Sequence, residues 1–331
     1  MREPLFLKQN RHKWREYEEN LFEEKSEDMD PDRMAELYIQ LTDDLAYSRT
    51  FYPRSAIARY LNGLAARTHL LIYQNKKDKN NRFLSFWTEE LPLIYFRAQK
   101  YMLYSFLIFA ITTAMGWMSV MKDPTIANTV FGDEYVDMTL SNIENGDPTG
   151  VYKDDDAFSM FVHIAKNNIG VSFYAFVLGI IFSVGTVYLL FNNGFMFGAF
   201  LGMFQTHNVL AAAWPVVMIH GTLELSAIVI GGAAGMMLGN SFMFPGTHTR
   251  LESLQKGAKD GVKIIIGLIP IFTVAAFLES YATRHSEMPI FLKIAIIVLS
   301  LAYIVWYYVL LPISINHQIQ HERQIPISQK A

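Results

Sequence analysis

His220 and Glu224 stand four residues apart in an apolar stretch where almost nothing else can carry charge. From Asn167 to Thr249, Glu224 is the only formally charged residue. On a helix the two side chains share a face. A carboxylate held in apolar surroundings is costly, so it points to function by default. Three kinds of chemistry suit it: a protonated or histidine-paired glutamic acid closing a hydrogen-bond network between helices, proton or ion handling, and metal ligation. His-x-x-x-Glu has ligand spacing, but a zinc site needs a third ligand. His207 and His163 are the other histidines within plausible reach, and Asn193 adds a polar group beside the same apolar run.

Other chemistries find little support. There are no cysteines, which excludes disulfides, thiolate zinc sites, iron–sulfur clusters and cysteine nucleophiles. The chain carries no His-Glu-x-x-His, no Gly-x-x-x-x-Gly-Lys phosphate loop and no Gly-x-Ser-x-Gly elbow. No cofactor is expected. A net charge of −3 supplies no basic field for nucleic acid.

The elements that must position His220 and Glu224 follow from where charge is missing. Of 331 residues, 51% are hydrophobic and 18% charged, against about a quarter charged in ordinary globular domains. Tyr101 to Met121 holds no charge and is long enough to span hydrocarbon, which takes about 20 residues. Further spans are expected over Ile169–Leu190, over Phe195–Phe244 as a crossing and return, and over Val262–Glu279 and Pro289–Ile315. Asn192-Asn193-Gly194 reads as a break. Gln205–Asn208 and Trp214-Pro215 leave Phe195–Ile219 as either one kinked helix or a re-entrant element. The expected architecture is all-α: a polytopic membrane protein of about six transmembrane helices (residues 101–315), an external loop at 122–166, and a tail at 316–331.

Residues 1–100 carry 17 Lys/Arg and 16 Asp/Glu and read as a small helical domain. Asp30-Pro31 is a helix start. Met34, Leu37, Leu41 and Leu45, then Ile57, Leu61, Leu64 and Leu71, form apolar stripes. The aromatic segment Phe83–Leu91 suits either a helix resting in the membrane interface or a linker helix packed on the bundle. The Lys/Arg bias places both termini in the cytoplasm and the 122–166 loop outside; that loop has nine acidic residues against three basic.

Small residues recur every four positions: Gly194, Gly198 and Gly202; Gly231, Gly235 and Gly239; and Ala175, Gly179 and Ser183. In lipid such ladders let helix backbones approach closely. They are expected to pack helices within the chain, with a homo-oligomer seam as the other use.

The order of these features resembles the stage II sporulation protein M family of bacterial integral membrane proteins. Asn167-Asn168-Ile169-Gly170, Asn192-Asn193-Gly194 and His220-Gly221-Thr222-Leu223-Glu224-Leu225-Ser226-Ala227-Ile228 carry the resemblance, leading into Gly231-Gly232-Ala233-Ala234-Gly235. It implies a multi-pass protein of the bacterial inner membrane that works with envelope protein partners in the lipid bilayer, and it assigns no catalytic residue. The expected function is a non-enzymatic subunit scaffolding or regulating a cell-envelope complex. The rival is a transporter, or an intramembrane metal-dependent hydrolase, using His220 and Glu224 at a broken helix.

Overall fold

A computed structural model describes residues 3–22, 31–73, 82–146, 150, 156–283 and 288–324. Asp30, the polar stretch 74–81, Asp154 and Asp155 of the 122–166 loop, and the last residues of the tail lie outside them. The described residues are mostly helical, with no strand among them, and the chain divides into two compact units, Met1–Arg82 and Phe83–Ala331.

The first unit holds α1 (Glu3–Phe22), α2 (Pro31–Phe51) and α3 (Ala56–Tyr73). Its core is built from Phe6, Trp14, Leu41, Leu45, Ile57, Leu61 and Leu64, all buried. Trp14 also donates its indole N–H to Asp44 at 2.8 Å, which satisfies the one polar atom the ring brings inside.

The second unit opens with α4 (Arg82–Ser85), which passes through a π-helical turn at Phe86–Glu90 into α5 (Leu91–Lys122). The short α6 (Thr125–Phe131) and α7 (Asp133–Glu144) follow, then α8 (Ala157–Val177), α9 (Val184–Thr206), α10 (Leu210–Met243) and α11 (Arg250–Phe277). The chain closes with α12 (Ile290–Val305), a π turn at Trp306–Leu310, and α13 (Leu311–Gln324). Five of these helical stretches are long and apolar enough to cross a membrane: Arg82–Lys122, Val184–Thr206, Leu210–Met243, Arg250–Ala282 and Ile290–His321. The protein is an all-α polytopic membrane protein. Large apolar side chains such as Leu103, Phe106, Ile111, Leu299 and Trp306 stay exposed along α5 and α12–α13, an outer surface suited to lipid.

Glycine contacts give the helix directions. Gly194, Gly198 and Gly202 of α9 meet Phe109/Thr112, Thr113 and Trp117/Val120 of α5 in the same order, so the two helices run parallel. Gly231 and Gly235 of α10 meet Ser172 and Ala175 of α8, and Gly239 meets Gly179 just past the end of α8, again in parallel. Both glycine ladders therefore lie against neighbouring helices. Hydroxyls stitch the same seams: Ser105 donates to Val229 O at 2.6 Å and Thr186 to Ala175 O at 2.6 Å. A parallel pair needs a return between its members. α8, 21 residues long and so roughly 31 Å, supplies the return from α5 to α9. Its polar Lys166-Asn167-Asn168 separates it from the five apolar stretches.

Four expectations are corrected. The span placed at Ile169–Leu190 is two helices: α8 ends at Val177, a 3₁₀ turn occupies Leu178–Ile180, and the chain reverses at 181–183 with Phe182 and Ser183 at positive φ (49° and 64°). Asn192-Asn193-Gly194 is no break but lies inside α9. Close packing there, Gly194 against Thr112 and the Phe109 carbonyl, outweighs the local turn preference. Phe195–Ile219 is neither one kinked helix nor a re-entrant element: α9 ends at Thr206 and α10 starts at Leu210, so the reversal falls at 207–209, with Pro215 inside α10. α11 also starts well before Val262: Thr249 accepts from Glu252 N while Glu252 receives Thr249 N, a complete capping box.

Candidate functional site

α10 presents His220 and Glu224 on one face, as their spacing requires, and that face meets α8 and the end of α11. The third member comes from α11. Its last turn loosens into a π-helical turn at Leu278–Ala282, and Glu279 within that turn places Oε1 3.9 Å from His220 Nε2. One ligand atom from each of His220, Glu224 and Glu279 lies within 4.8 Å of the other two. π-helical turns insert one residue into a helix and recur at functional sites for that reason.

α8 contributes Asn168, which is buried. Its side chain hydrogen-bonds Glu224, while its Oδ1 accepts from Asn167 Nδ2 at 3.3 Å. At the C-terminal ends of α5 and α9 the short helices pack through Val120, Ala127, Val136, Ala199 and Met203. Tyr135 of α7 lies near enough to the cluster for charge on Glu279 to act on it. Burial raises the Tyr135 phenol, Thr139 offsets part of that, and Glu279 adds to the rise.

Two carboxylates and an imidazole this close form a site that asks for a cation. Both acids ionised would repel one another in apolar surroundings. The ion pairs of the described residues give neither Glu224 nor Glu279 a Lys or Arg partner. A proton or a metal ion would satisfy the cluster; His220, Glu224 and Glu279 are the residues able to hold a metal.

The remaining candidates lie elsewhere. His207 caps the end of α9, exposed, with Nδ1 2.8 Å from Met203 O. Asn193 donates to Leu189 O at 2.8 Å, one turn back on its own helix. His163 is exposed on α8 and, with Lys166, lines an apolar groove of about 780 Å³ between α8 and α11. Sequence reasoning missed Glu279. Its one signal was a carboxylate ending an otherwise apolar run, and nothing local showed which helix it would face.

A family model for stage II sporulation protein M matches residues 105–284, from the middle of α5 to just beyond the π turn that holds Glu279. The match covers more than half of the chain. The protein belongs to the stage II sporulation protein M family. A second model, described as a domain of unknown function (DUF8413), matches residues 4–74, nearly the whole of the first unit. No curated protein and no solved structure matches the chain. The whole polar cluster, Asn168 included, lies within the stretch shared with the stage II sporulation protein M family.

Proposed function

We propose that this family member is a non-enzymatic subunit of the bacterial inner membrane that scaffolds or regulates a cell-envelope complex, with both termini cytoplasmic. The observation that carries this reading is the construction of the bundle. Glycine faces on α9 and α10 bring whole backbones into contact with α5 and α8, which makes a stiff platform. Folded structure outside the lipid-facing helices, α1–α3 upstream and α6–α7 between passes, supplies docking surface on both sides. The Lys/Arg bias assigns α1–α3 and the Gly246 turn to the cytoplasm and α6–α7 to the outside.

A transporter or intramembrane hydrolase draws on the same His220–Glu224–Glu279 cluster. Either needs water to reach Glu224 during a cycle, whereas His220 is buried and Glu224 and Glu279 are only partly exposed.

Two measurements test the proposal. Reporter fusions at Gly146 and Gly246, both in turns, should read external and cytoplasmic; the reverse pattern overturns the orientation. Photo-cross-linkers at the exposed Asp137 of α7 and Lys8 of α1 should each trap envelope proteins in living cells. Adducts only to lipid and to further copies of the chain would count against a scaffold.

A further inference from the structure

We propose that His220, Glu224 and Glu279 bind one divalent first-row transition-metal ion, of the zinc, manganese or iron(II) kind, which ties α10 to the end of α11. The inference goes beyond the scaffold reading and does not depend on it.

Geometry is the first support. Ligands about 2.1 Å from a tetrahedral zinc lie roughly 3.4 Å from one another. His220 Nε2 and Glu279 Oε1 are 3.9 Å apart, and all three ligand atoms fall within 4.8 Å. Side-chain rotation of about an ångström closes the set without moving a helix. Three protein ligands leave a further position for water.

Charge is the second. One divalent ion neutralises two carboxylates that have no Lys or Arg partner among the described residues, and a neutral imidazole completes the set. The donor types narrow the ion. An imidazole beside two carboxylates favours zinc, manganese or iron over calcium and magnesium, which take oxygen alone. The chain has no cysteine to select a softer ion.

The surroundings are the third. Metal-binding carboxylates are held by hydrogen bonds from an outer layer, and the Asn167–Asn168–Glu224 chain provides one. Glu279 reaches the cluster from a π turn.

The test uses the full chain, purified in mild detergent without chelator from cells grown with zinc, manganese and iron. Elemental analysis should find about one metal ion per chain. His220→Ala, Glu224→Gln and Glu279→Gln should each lower that at least tenfold, with helical content unchanged by circular dichroism and with Gly63→Ala retaining the metal. Should the variants fail to fold, chelator-stripped wild-type protein refilled with cobalt(II) reads the same site: X-ray absorption should report one imidazole nitrogen among oxygen ligands. Less than a tenth of an equivalent in the wild type with no uptake of cobalt, or metal retained in all three variants, overturns the proposal.

Discussion

The two units of this chain solve the packing problem in opposite ways. In the N-terminal unit, water drives large side chains together: Phe6, Trp14 and Tyr47 stack around Leu61 and Leu64, with the Phe6 and Tyr47 rings 4.9 Å apart. In the membrane unit large side chains are plentiful, but many face outward, and the tightest helix contacts are made where side chains are smallest. Lipid is as apolar as leucine and rewards no burial of leucine; close backbone approach and dispersion hold the helices instead. A glycine therefore means different things in each. Gly63 of α3 has open space around it, whereas a methyl group at Gly198 of α9 would land on the Thr113 carbonyl of α5.

That contrast can be broken at its strongest points first. Trp14→Ala should cost the N-terminal unit about 3–5 kcal/mol, because it removes a buried aromatic and leaves Asp44 without its indole donor. Hydrogen exchange on the full chain should show α1–α3 losing protection while α5–α11 keep theirs.

Gly198→Ala should lower the detergent melting temperature of the membrane unit through overpacking, at about 1–3 kcal/mol, although it adds a single methyl. Unchanged melting would mean that α5 and α9 are not in backbone contact.

The same substitution at Gly63 should have the opposite sign. Alanine there stabilises by about 0.5–1 kcal/mol, since helix entropy improves and nothing is displaced. Thermal unfolding of α1–α3, followed by exchange, checks the direction.

The smallest effect concerns pH. Tyr60 is pushed up to about 12, by burial first and then by its hydrogen bond to Glu18. A raised pKa favours the protonated folded state, so this contribution is complete below the unfolded value near 10 and is lost as pH rises through about 12. Tyr60→Phe should flatten that part of the N-terminal unit's alkaline stability profile.

The same contrast decides what was legible in the sequence. Spans announce themselves by missing charge, and the glycine ladders by their period, because both reflect the solvent directly. His220 and Glu224 are legible as a pair because one helix carries both. Glu279 is not, since only tertiary packing sets the rotation of α11 and the π turn that brings it in. The reversal at 181–183 is hidden as well. Leu-Gly-Ile-Ile-Phe-Ser has little turn chemistry, and Gly179 and Ser183 equally suit a packing seam, which they also form against α10. Asn193 misleads in the other direction: an amide that often starts a turn instead bonds the carbonyl of Leu189 within the helix.

The reversal between α8 and α9 also has a consequence for how the protein is made. Ile181, Phe182 and Val184 lie exposed at its tip with no charged residue nearby. Its backbone is satisfied locally, Ser183 N to Gly179 O and Val184 N to Ile181 O, while the Ser183 hydroxyl reaches Met236 O on α10. Such a tip gives the insertion machinery no anchor at which to pause. α8, with Lys166, Asn167 and Asn168 in its middle, is poorly suited to enter lipid by itself, whereas α9 is apolar throughout. The two therefore partition as one hairpin after α9 has been synthesised. α8 then reaches its final seat only when the later-made α10 offers the glycine face that receives it.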